Sequence, residues 1–118
     1  MAVSENIKRG SIEVIILSLL QEEDMYGYQL SQEMRKRSDG RYSLLESSMY
    51  PTLYRMLDKG LITDKKVKVG LRRVRVYYHL EPKGEEYLRK AREEYLSLTH
   101  GVLDILGVRT KEEMINEG

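Results

Sequence analysis

The side chains best suited to chemistry lie in one short segment and one basic run. In Ser48-Met49-Tyr50-Pro51-Thr52-Leu53-Tyr54-Arg55-Met56-Leu57 a helical period gathers Met49, Leu53, Met56 and Leu57 on one face. The opposite face carries Ser48, Tyr50 (in part), Pro51, Thr52 and Arg55. Hydroxyls donate to phosphates, an arginine can grip guanine with two hydrogen bonds, and a threonine methyl or proline ring can touch thymine methyls. Such a face suits the major groove of double-stranded DNA. It equally suits an ordinary amphipathic surface helix, so the segment alone leaves both readings open. The basic run weighs more: Lys65, Lys66, Lys68, Arg72, Arg73 and Arg75 are six cations within eleven residues, with no acid between them, in a chain of net charge +1. Concentrated in this way, the charge can track a phosphate backbone and gain affinity by counterion release. The alternative is a solvated hairpin whose Lys and Arg protect a sheet edge.

Catalytic chemistry finds no comparable set. His79 and His100 are the only histidines, neither in a metal-ligand spacing, and no nucleophile elbow or phosphate loop is present. With no Cys, disulfides, thiolate nucleophiles and zinc–thiolate sites are excluded. The acid clusters Glu22-Glu23-Asp24 and Glu93-Glu94 fall at a helix exit and on a charged helix face. The expectation is therefore a protein that is not an enzyme and holds no cofactor or metal. Hydrophobic residues at 41% and charged residues at 33% fit a soluble globular chain. The longest apolar run, Val14 to Leu17, is far too short to span a membrane, and no signal-like leader precedes it. No membrane partner and a cytoplasmic location are expected.

The elements that must position these residues can be read from period and punctuation. Ser11 to about Gln21 is apolar almost all round, so it predicts a helix buried on more than one side. Glu22-Glu23-Asp24 breaks it, Tyr26-Gly27-Tyr28 opens a second helix, and Ser38-Asp39-Gly40 stops that one. A third helix is expected to start near Ser47 or Ser48, capped by a hydroxyl, with Pro51 in its first turn and its exit at Lys59-Gly60. The period then changes to two: Val74, Val76, Tyr78 and Leu80 alternate with Arg73, Arg75, Tyr77 and His79. Ile62 to Val69 is the partner strand and Gly70 the turn, which makes a hairpin with a basic tip. Pro82 starts a long final helix. Three helices, a hairpin and a fourth helix give a mainly α chain with a small β-hairpin, the winged helix-turn-helix arrangement with a C-terminal helix added. The expected division is 1–81 for the DNA-binding unit and 82–118 for a dimerisation helix and short tail.

The last helix has a pattern of its own. Leu88, Ala91, Tyr95, Leu98, Val102 and Ile105 step alternately by three and four, an a/d seam that predicts a homodimer. Gly101 is expected to interrupt the helix, and Thr110-Lys111-Glu112-Glu113 has a capping-box pattern for a tail helix.

Taken together, Gly10-Ser11-Ile12-Glu13-Val14-Ile15-Ile16-Leu17, Met25-Tyr26-Gly27-Tyr28-Gln29-Leu30, Ser48 to Met56, Gly60-Leu61-Ile62, and Tyr77-Tyr78-His79-Leu80 with Lys83-Gly84 resemble the PadR family of bacterial and archaeal regulators. The resemblance covers roughly residues 7 to 100. It implies a dimeric winged-helix repressor on an inverted-repeat operator, and the short C-terminal region looks like the smaller subfamily with one dimerising helix. Some members of that subfamily bind flat aromatic ligands between protomers. Such an effector would lie here against Tyr95, with Glu13 beside it. Two departures stand out: Gly70-Leu71-Arg72-Arg73 replaces the commoner Gly-Gly-Arg-Arg connection, and the chain has no Trp where the drug-binding relatives stack one. The competing reading is a winged helix used as a protein-interaction module, its basic wing serving an acidic partner.

Overall fold

The structure is a computed structural model that describes residues 10–108. Helix α1 spans Ile12–Glu22, strand β1 Met25–Tyr26, α2 Gly27–Arg37 and α3 Glu46–Asp58. Strands β2 (Ile62–Val69) and β3 (Arg73–Leu80) form the hairpin, and α4 runs over Pro82–Leu106. The chain is mainly helical with one small antiparallel sheet, ordered β1-β3-β2. The expected tail helix at Thr110 lies outside the described residues.

α1 buries Ile16, Leu17, Leu19 and Leu20, as its apolar circumference requires. Around it close Leu30 and Met34 of α2, Met49, Leu53 and Met56 of α3, Tyr78 and Leu80 of β3, and Leu88 of α4. Arg37 at the end of α2 binds Glu22 and Glu33 together, tying the exits of two helices at the surface. Left-handed Asp39 and Gly40 (φ 55° and 80°) then turn the chain toward α3.

Outside the hairpin, four features depart from expectation. β1 precedes the second helix, pairing Met25 with Tyr78 and Tyr26 with Tyr77. No hydroxyl caps α3: Leu45 holds the N-cap position without a side-chain bond, and Glu46 opens the helix, its charge favourable in the first turn. Pro51 therefore lies inside the helix rather than in its first turn, and the carbonyl of Ser47 receives no helical bond from it. α4 continues through Gly101 to Leu106 and ends on left-handed Gly107.

The hairpin is in register from Ile62↔Leu80 at its base to Val69↔Arg73 at its tip. Only the base is buried. Val74, expected to face the core, is 57% exposed because the outer half of the hairpin runs past the core's edge. Among the described residues no helix is long and apolar enough to cross a membrane.

Candidate nucleic-acid interface

α3 is anchored by Met49, Leu53 and Met56, each fully buried. Ser48, Pro51, Tyr54 and Arg55 remain exposed, and Tyr50 is half-buried. Thr52 is not on the open face: it is 6% exposed. Met49, Thr52, Leu53 and Met56 follow the i, i+3, i+4, i+7 spacing of one helix face, so Thr52 turns inward with them. Its Oγ1 lies 3.5 Å from Nη2 of Arg55, at the limit of a hydrogen bond.

Two contacts hold the start of α3. Tyr50 donates its hydroxyl to Glu46 (3.1 Å), and its ring stacks on Tyr54 with centroids 5.9 Å apart. The bond to the carboxylate, with some burial, pushes the Tyr50 hydroxyl above its ordinary range. Glu46 in turn presses against Gly27 at the start of α2. A Cβ at Gly27 would stand 2.7 Å from Glu46 Oε1, so the glycine leaves room for the Glu46 side chain in the position from which it accepts the Tyr50 bond.

Beside this face rises the wing. Lys65, Lys66, Lys68, Arg72 and Arg73 are all exposed. Arg75 is half-buried and differs from them: its guanidinium lies 4.4 Å from the centroid of the Tyr26 ring, which meets Tyr77 edge-on at 5.3 Å. Arg75 thus braces the wing on β1 through a cation–π contact. A cleft of about 400 Å³ separates α3 from the wing, with Glu46, Tyr50, Tyr54, Asp64, Val76 and Tyr78 among its walls. Burial there, reinforced by the neighbouring tyrosines and carboxylates, pushes Tyr78 up to about 12. On the other face of the sheet His79 Nδ1 and Asp24 Oδ1 are 2.7 Å apart, which raises the histidine's pKa. Among the described residues no three potential metal-ligating side chains converge.

The expected dimer seam divides into two parts. Leu88 is 2% exposed within one protomer and belongs to its core, so it is not available to a partner. Ala91 is half-buried. Beyond it Tyr95, Leu98, Val102 and Ile105 are 38%, 70%, 45% and 86% exposed, joined by Leu96 and Leu106. Glu13 has a partner on the same helix as this seam. It accepts a hydrogen bond from the hydroxyl of Tyr87, one turn of α4 below Ala91, a partner the heptad pattern gave no reason to single out.

The transcriptional regulator PadR-like family matches this chain over residues 16–90. A transcriptional regulator from Clostridium thermocellum is 33% identical, with a TM-score of 0.75 over 84% of this chain and 95% of its own. A PadR-like transcriptional regulator from Bacillus cereus is 31% identical, with a TM-score of 0.71 over 86% of this chain and 96% of its own. PadR of Bacillus subtilis, solved in complex with operator DNA, is 25% identical, with a TM-score of 0.63. That match covers 68% of this chain and 46% of the other.

Proposed function

The chain belongs to the transcriptional regulator PadR-like family, and on that premise we propose that it is a dimeric DNA-binding repressor acting in the cytoplasm on an inverted-repeat operator. One observation carries the reading: a chain of net charge +1 projects five exposed cations on one hairpin, beside a helix face of Ser48, Pro51 and Arg55. The operator complex of the Bacillus subtilis relative supports it. In this reading Ser48, Tyr50, Pro51 and Arg55 meet the major groove, and Lys68, Arg72 and Arg73 meet phosphates or the minor groove. Arg75 and Thr52 hold the wing and Arg55 in place.

Residues 1–81 serve as the DNA-binding unit and 82–118 as the dimerisation arm, whose first turns pack on the former through Leu88. Two arms meeting along Tyr95, Leu98, Val102 and Ile105 set the half-sites about one helical turn apart or a multiple of it. A planar aromatic effector would enter between the protomers against Tyr95, near the Tyr87–Glu13 pair. A shift in dimer geometry requires it to favour one arrangement over the other.

The test is a salt titration of binding to random duplex DNA. Each phosphate neutralised by the protein contributes about 0.9 to the slope of log affinity against log salt. Replacing Arg72 and Arg73 by Ala should reduce it by roughly 1.8 per protomer on that basis. An unchanged slope and affinity would remove the wing from the interface.

A further inference from the structure

The hairpin's tip carries an apolar side chain that neither the core nor the phosphate-binding cations employ. Val69 and Arg73 are paired, so Gly70, Leu71 and Arg72 form a three-residue loop. Gly70 supplies its left-handed bend at φ 77°. Leu71, at the apex, is 95% exposed, more than any other large apolar side chain among the described residues. A single exposed leucine on an ordinary surface is common. This one is placed differently. It is followed by two exposed arginines, and the nearest apolar side chains in sequence, Val69 and Val74, flank the turn on paired strands. Among the described residues, six of the other exposed large apolar side chains, Tyr95 to Leu106, lie on α4.

We propose that Leu71 is a wedge: the wing tip enters the minor groove of duplex DNA, Arg72 and Arg73 hold it there, and the leucine inserts at a base step. The proposal rests on the DNA-binding reading and adds to it a mode of deformation. Arginines are drawn to the negative potential of a narrow minor groove. Once there, an apolar side chain at the apex meets base faces instead of water, and apolar wedges of this kind unstack a step and kink the duplex. Unstacking is easiest at TA and CA/TG steps, so the wedge would add sequence preference where no hydrogen bond reads a base. No other part of the fold is needed for this. The leucine touches almost nothing in its own chain, so changing it leaves the fold intact.

The experiment uses the full chain and a duplex selected by it from a random-sequence pool. Bending is followed by end-to-end fluorescence transfer, and unstacking by 2-aminopurine placed at successive steps. The native protein should bend the duplex by about 20–90° and brighten 2-aminopurine at one step under each wing. Leu71→Ser should abolish the brightening, reduce the bend and weaken binding about tenfold, roughly 1.4 kcal/mol. Its salt slope should not change, because the cations remain, and Leu71→Met should restore the bend. A bend and a 2-aminopurine signal unaffected by Leu71→Ser, with binding intact, overturn the wedge alone. Binding of no duplex by the native chain overturns the DNA-binding reading and the wedge with it. Leu71-dependent binding to vesicles of anionic phospholipid, with DNA bending unaffected, assigns the tip to a lipid surface and overturns the wedge.

Discussion

Gly84 lies in the third position of α4, where helix propensity and packing make opposite demands. Propensity alone favours alanine over glycine there by about 1 kcal/mol. The packing does not allow it. A Cβ at position 84 would stand 2.1 Å from the carbonyl oxygen of Leu61 and 2.7 Å from Leu80 Cδ1, where ordinary contacts begin near 3.4 Å. The helix start would have to retreat by more than 1 Å. That carbonyl already accepts the Glu81 N–H at 3.0 Å, and the next turn of the helix seats Leu88, 2% exposed, in the core. Breaking one buried backbone bond costs about 1–3 kcal/mol, and overpacking a tight site costs a similar amount.

Gly84→Ala should therefore lose about 2–3 kcal/mol net of the helix gain. For a chain of this size that is a fall in Tm of roughly 10 °C. Gly101 supplies the internal control, since a Cβ there meets nothing within 4 Å in the protomer. Gly101→Ala should gain about 1 kcal/mol. Thermal unfolding of both variants at one fixed protein concentration separates packing from propensity, because self-association of the kind proposed would make Tm depend on concentration. If Gly84→Ala melted above the native chain, as Gly101→Ala should, the close seating of α4 on Leu61 would be refuted.

Leu98→Glu should give monomers: each partner forgoes most of a 70% exposed leucine's burial and must desolvate a charge, weakening association about 100-fold or more at ~1.4 kcal/mol per decade. Sedimentation of that variant as a dimer at micromolar concentration would rule out the α4 interface. Arg55→Ala should cost about 1–3 kcal/mol in operator binding and relax preference at particular base pairs, which a footprint reports. For the His79–Asp24 pair the folded-state histidine pKa is raised above its ordinary value near 6.5. Its contribution to stability is then full below that value and fades as pH rises through the folded-state pKa. Asp24→Asn should lower stability at pH 5.5 more than at pH 8 in urea unfolding; equal losses at both would exclude the linkage.

The helices and the hairpin were legible in the sequence because they are written in local signals: a period of 3.6 or 2, glycine at φ > 0, proline at a helix start; the family was legible only as a resemblance of whole motif segments. What was missed depends on contacts far along the chain. β1 has two residues and no period of its own; it exists only through pairing with Tyr77 and Tyr78. Leu45 caps α3 by backbone position, whereas hydroxyls at Ser47 and Ser48 suggested a later start. Tyr87 lies off the heptad and is made significant only by Glu13, 74 residues earlier.

The candidate interface follows the same division. Exposed charge at a turn is a local property, so five of the six wing cations are placed as the sequence suggested. The sixth, Arg75, is taken up by Tyr26, whose position depends on the pairing of β1. Thr52 marks the opposite error. Its spacing from Met49, Leu53 and Met56 completes an inward face, and that spacing outweighs the polarity of its hydroxyl. A polar residue at a core phase of a helix is thus better assigned by its phase, and its hydroxyl by the neighbour it meets there, in this case Arg55. The hydroxyl meets the outward-facing arginine at 3.5 Å, while the phase of Thr52 keeps its own side chain buried beneath the exposed face.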